Sequence, residues 1–153
     1  MSDRTRVEPR QRFAGDEHHL NLMQVFAALE NEANAETNDE TSAVETNAVE
    51  TNAHAPQSGH RQITIFHRAP VTMVAFSFSD GGVLSDHSAS GLVTIQAVAT
   101  ADEGVLEVRT ASQTYALQSG EIVVLDPNVV HSVSSRGASR MLLTVHLQKE
   151  THV

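Results

Sequence analysis

The sequence predicts an all-β domain, a sandwich or a barrel, beginning at Arg61. Two observations carry this expectation. Short runs rich in β-branched and aromatic residues recur through residues 61–148, the composition of pleated, half-buried strands. Turn-forming Gly, Pro, Asn and Asp separate these runs every eight to twelve residues, the rhythm of short antiparallel strands. A third observation sets the boundary: residues 1–60 show neither feature and carry most of the acidity.

The elements follow in order. Residues 1–20 are polar and charged, with Arg4, Arg6, Arg10 and Arg12 among acids, and are expected to form a disordered tail. A short amphipathic helix is expected over 21–30. Asn21 can cap it, Gln24 falls at the capping-box position, and Leu20 and Val25 occupy the two hydrophobic-staple positions. Leu22, Val25, Phe26 and Leu29 share one face at helical spacing. That stripe is a docking face for the core or for a second subunit. Residues 31–60 repeat Glu-Thr-Asn at 36–38, 45–47 and 50–52 and hold no aromatic residue, Lys or Arg. So little apolar surface does not offset the entropy of ordering, and a disordered acidic linker is expected.

Strands are then expected around 63–66, 71–79, 92–99, 105–110, 115–117, 122–125, 130–133 and 141–147. Asp80-Gly81-Gly82 is a turn, and Ala101-Asp102-Glu103-Gly104 is a hairpin turn. The closing strand sets Met141, Leu143, Val145 and Leu147 on one face and Leu142, Thr144 and His146 on the other. Residues 149–153 are a tail.

Composition narrows the function classes. Residues 1–60 hold 11 acidic and 4 basic side chains and residues 61–153 hold 8 and 6, within a net charge of −9. No basic patch is present, so no nucleic-acid partner is expected. There is no cysteine, so neither disulfides nor thiolate chemistry is expected. No apolar stretch follows Met1, and no run approaches bilayer length. A cytoplasmic protein without membrane contact is the expectation.

Two spacings carry the candidate site. Gly81 is followed by five residues and then His87; Gly120 is followed by ten and then His131. The pattern resembles the cupin superfamily, whose first motif runs Gly, five residues, His, one residue, His, three or four residues, Glu, six residues, Gly. Its second motif runs Gly, five residues, Pro, one residue, Gly, two residues, His, three residues, Asn. In the first motif Gly81 and His87 match, Ala89 holds the second histidine position, Val93 or Thr94 holds the glutamate position, and Gly104 arrives late. In the second, Gly120 and His131 match, Pro127 is one place late, Asn128 takes the glycine position and Ser135 the asparagine position. Asparagine suits that glycine position because it tolerates positive φ. The resemblance covers roughly residues 61–148 and implies a single small jelly-roll barrel, commonly a homodimer.

Metal-binding cupins use three histidines and one glutamate from these motifs, and only His87 and His131 are ligand types here. Two imidazoles fall short of the three or four protein ligands a divalent ion normally takes. Gln96, which shares strand parity with Thr94, and His146 on the closing strand are expected to line the same cavity; His67 is a weaker candidate. Asp86 adjoins His87 but would face the other way in a strand. The residues therefore leave two readings open: a hydrogen-bonded pair lining a small-molecule cavity, or two ligands of an Fe, Mn, Zn or Ni site completed from another strand. The favoured expectation is a small-molecule-binding barrel without tight metal binding. The alternatives are a metal-dependent oxygenase or isomerase and a structural dimerisation module. No residue is assigned a catalytic role.

Overall fold

The structure, a computed structural model, describes residues 13–37 and 59–148. The expectations for 1–12, for 38–58 and for 149–153 lie outside the described residues. Among the described residues one helix, α1 (Leu22–Thr37), precedes nine strands. They are β1 (His60–Arg68), β2 (Val71–Phe78), β3 (Val83–His87), β4 (Leu92–Thr100), β5 (Val105–Thr110), β6 (Thr114–Leu117), β7 (Ile122–Leu125), β8 (His131–Arg136) and β9 (Ser139–His146). They form two antiparallel sheets, β1-β2-β9-β4-β7 and β3-β8-β5-β6. This is the all-β jelly roll that the sequence predicts.

Period-two alternation builds the core. Val93, Ile95 and Ala97 of β4, Met141 and Leu143 of β9, and Phe76 and Phe78 of β2 point between the sheets. Leu106, Val108, Val133, Val123 and Leu125 meet them there. The strand β3 is absent from the sequence expectations. Its Val-Leu-Ser-Asp-His lacks an alternating apolar pattern, it is largely exposed, and its register with β8 is irregular between Leu84 and His87. It is an edge strand, where little burial is available to shape composition.

The end of the barrel where β8 meets β9 is closed by satisfied polar groups. Ser135 and Ser139 are buried, with their hydroxyls 2.7 Å apart. Gly137 N–H donates to Asp80 Oδ1 at 2.8 Å, and Gly81 N–H to Ser135 O at 2.9 Å. Gly82 lies so close to Gly59 that a Cβ would sit 2.3 Å from its carbonyl oxygen.

The outer face of the five-stranded sheet carries the helix. Asn21 Oδ1 accepts from Gln24 N–H at 3.1 Å, which is the expected cap. Phe26 and Leu29 are buried against Ile65, Ala75 and Leu142, flanked by Leu22, Val25, Met73 and Val98. Arg140 of β9 clamps the helix through two hydrogen bonds to the Glu30 carboxylate, at 2.8 and 2.9 Å, and lies over the Phe26 ring. The apolar stripe of α1 is thus covered within the chain.

Two bounds differ from expectation. The helix runs past residue 30 to Thr37, because Ala and Glu in this stretch are good helix formers and low complexity does not oppose helix. The segment before it is also held: Phe13 and His18 pack edge-on against Phe66, and Arg68 Nη1 donates to Gly15 O at 2.6 Å. Among the described residues no helix is long and apolar enough to cross a membrane.

Candidate functional site

The end of the barrel opposite the serine pair is where β3 and β7 finish and β4 and β8 begin. His87 closes β3 and His131 opens β8, directly across the ladder from each other. Their rings meet at 62°, with centroids 4.1 Å apart. Thr110 of β5 faces His131 from the opposite side. The inward alternation His131, Val133, Ser135 carries the imidazole into the barrel, where it is 1% exposed; His87 is half-buried.

Backbone carbonyls fix both rings. His131 Nδ1 lies 2.9 Å from Val129 O, and His87 Nδ1 lies 2.8 Å from Ser85 O. A carbonyl oxygen only accepts, so each Nδ1 carries the proton. In the neutral rings both Nε2 atoms are then lone-pair acceptors. His131 Nε2 is buried and has no hydrogen-bond partner among the described residues. Burial pushes the His131 imidazole below its ordinary value of 6.5, against the upward pull of the Val129 carbonyl; the neighbouring His87 lowers it further, and Asp86 acts in the raising direction.

The loops beneath the pair are tied together. Asn128 N–H donates to Ala89 O at 2.7 Å, joining the segment after β7 to that after β3. Asn128 has φ +69°, and the glycines that open the two motifs, Gly81 and Gly120, have φ +78° and +91°. The glycine position occupied by Asn128 therefore does require left-handed backbone. Asn128→Gly is expected to preserve stability. Asn128→Val is expected to cost about 1–2 kcal/mol in urea denaturation, because a β-branched side chain is forced into that region. Equal stability of the valine variant would show that the turn is not left-handed.

The structure does not bring all the expected residues together. Gln96 lies between the core residues Ile95 and Ala97 and pairs with Leu142 and Ile122, which sets it on the outer face of the sheet. His146 shares parity with Leu142, pairs with Leu92 and Val71, and is exposed on that same outer face. Neither lines the barrel, and the reason is the same for both: the apolar members of β4 and β9 take the inward positions. His67 hydrogen-bonds Thr72 on the β1–β2 ladder at 2.8 Å. Ala89, at the second histidine position, packs on the core, and Val93, at the glutamate position, is a core residue. Sequence reasoning missed Thr110, whose place beside His131 follows from register rather than from any motif.

Among the described residues no group of three or more His, Asp or Glu could hold a metal ion. The two imidazoles, both anchored at Nδ1, are suitable ligands as far as they go. The set as a whole does not fit the four-ligand centre implied by the cupin motifs, since core-packed apolar side chains stand where donors would.

Comparison with solved structures agrees with the fold. A conserved protein of unknown function from Streptococcus pyogenes superposes with a TM-score of 0.54 at 22% identity, covering 61% of this chain and 78% of that one. A cupin superfamily protein from Desulfitobacterium hafniense gives 0.53 at 16% identity, covering 58% and 78%. An RmlC-like cupin from Shewanella frigidimarina gives 0.53 at 15%, covering 61% and 80%. No protein-family model and no curated protein matches the chain. The fold is that of the cupin superfamily.

Proposed function

We propose that the chain is a small-molecule-binding cupin barrel whose ligand meets the His87–His131 pair. The observation that carries this reading is His131 Nε2, a buried acceptor with no partner among the described residues. A buried acceptor left unsatisfied costs about 1–3 kcal/mol. Such a cost is retained where a site serves a purpose other than stability. The anchored Nδ1 atoms add support, because they hold both rings in one orientation before any ligand arrives. A thermal-shift and NMR screen of small acids, sugars and metabolites tests the reading. Hits are expected to raise the melting temperature and move the ring signals of His87 and His131. A screen without any such hit would remove the reading.

A second reading, a metal-dependent enzyme, is favoured by one observation: backbone carbonyls on Nδ1 are the partners that commonly orient ligating imidazoles. Elemental analysis of protein made without a His tag tests it. Stoichiometric Fe, Mn, Zn or Ni that survives dialysis would support it, and traces that wash out would sink it. We further propose a cytoplasmic homodimer, supported by the absence of cysteine and by the cupin fold. The helix is not needed as the dimer contact, since its stripe is already covered. Light scattering that returned the mass of one chain across a concentration series would overturn the dimer.

A further inference from the structure

We propose that the His87–His131 site selects uncharged ligands bearing an O–H or N–H donor on an apolar body, and rejects carboxylates and phosphates; this rests on the binding role proposed above. Each ring has one nitrogen left to offer a ligand. Both Nδ1–H groups are engaged by the carbonyls of Ser85 and Val129. The pair therefore presents acceptors and no donors, and the deeper acceptor, His131 Nε2, has no partner among the described residues.

An anion would meet lone pairs here instead of donors. The charged and titratable groups that act on His131 are His87 and Asp86, of which Asp86 is a carboxylate. Thr110, on the far side of His131, brings no charge. Arg140 is held by Glu30 under the helix, and Arg68 is engaged at Gly15. A carboxylate entering would give up hydration, and neither imidazole, engaged at Nδ1, has a donor to offer it. A neutral donor supplies what His131 Nε2 lacks, a hydrogen to accept. Ala89, Val129 and Val145 are partly buried hydrophobics packed against the core, and Ala89 and Val129 belong to the two loops tied together at the pair, so the surroundings of the rings suit an apolar body. The departures from the metal motif agree with this selectivity. Replacing ligand positions by Ala89 and Val93 removes charge and adds apolar surface at the same end of the barrel.

The test uses the full chain at pH 8 with three matched probes: benzyl alcohol, toluene and benzoate. Binding is followed by titration and by the ring nitrogen signal of His131. Benzyl alcohol is expected to bind at least about fivefold more tightly than either of the others, the worth of one neutral hydrogen bond. It should also move the Nε2 signal, whereas toluene should not. His131→Phe is expected to erase the preference for the alcohol over toluene, and His131→Gln, which restores an acceptor, to keep part of it. Melting curves check that both variants fold. If the phenylalanine variant does not, His131→Leu, which also removes the acceptor, replaces it, with the same loss expected. Benzoate binding as tightly as the alcohol would overturn the ligand class while leaving the binding role standing. Toluene matching the alcohol would overturn the donor requirement. Failure of all three probes to bind at millimolar concentration would overturn the binding role and the class together.

Discussion

Replacing Phe26 by alanine is expected to lower stability by roughly 3–5 kcal/mol, the usual cost of emptying a buried aromatic site. Phe26 is completely buried at the centre of the cluster that joins α1 to the sheet. The Arg140 guanidinium lies 5.6 Å from its ring centroid and is fixed there by Glu30. That ion pair is partly exposed and contributes little alone, at most about 1 kcal/mol. The ring contact and the area under it therefore dominate. This cluster is separate from the core between the sheets, so the loss is bounded by the docking energy of the helix. The variant should keep its β-sheet circular dichroism while its urea midpoint falls and proteases gain access to α1. A change below 1 kcal/mol would mean that the helix does not dock on this face.

Acid is expected to destabilise the chain through His131. Its folded value lies below the 6.5 of the unfolded chain because burial disfavours the charged ring. Above 6.5 neither state holds the proton, and the stability is fully present. As pH falls below 6.5 the unfolded chain takes up a proton that the native site resists, so stability declines until the folded value is reached. The slope from one proton is at most about 1.4 kcal/mol per pH unit. Denaturation midpoints measured from pH 8 to pH 5 check this. His131→Gln, which does not titrate, should flatten the curve in that window. A wild-type curve that rises toward acid would contradict the sign, and an unchanged slope in the variant would assign the effect to another group.

The sequence made the fold legible where burial constrains composition. Residues 105–110 and 122–125 read as strands because Leu106, Val108, Val123 and Leu125 face the core at alternate positions. Val83–His87 did not, because an exposed edge needs no such pattern. The extension of α1 to Thr37 was hidden by the acidic repeat, although its Ala and Glu content favours helix. The histidine pair was legible from Gly-to-His spacing alone. The inward faces of β4 and β9 were open to a simpler test: Val93, Ile95 and Ala97 form a continuous apolar row, which leaves Gln96 outside. The unpartnered Nε2 had no sequence signal. It depends on the carbonyls of Ser85 and Val129, and every residue has a carbonyl.

The two ends of the barrel differ in how completely their polar groups are paired, and this has a consequence for local stability. At the serine end, Gly81, Ser135 and Gly137 donate into a closed set of bonds among backbone and side chains. At the histidine end, the Asn128–Ala89 backbone bond joins two loops beside a ring nitrogen that has no partner among the described residues. Amide hydrogen exchange should therefore run along a gradient: Gly81 and Ser135 exchange only with global unfolding, and Asn128 exchanges through local opening at lower free energy. The same small fluctuations would carry solvent, or a guest, to His131, so the least protected amides of the barrel mark its entrance.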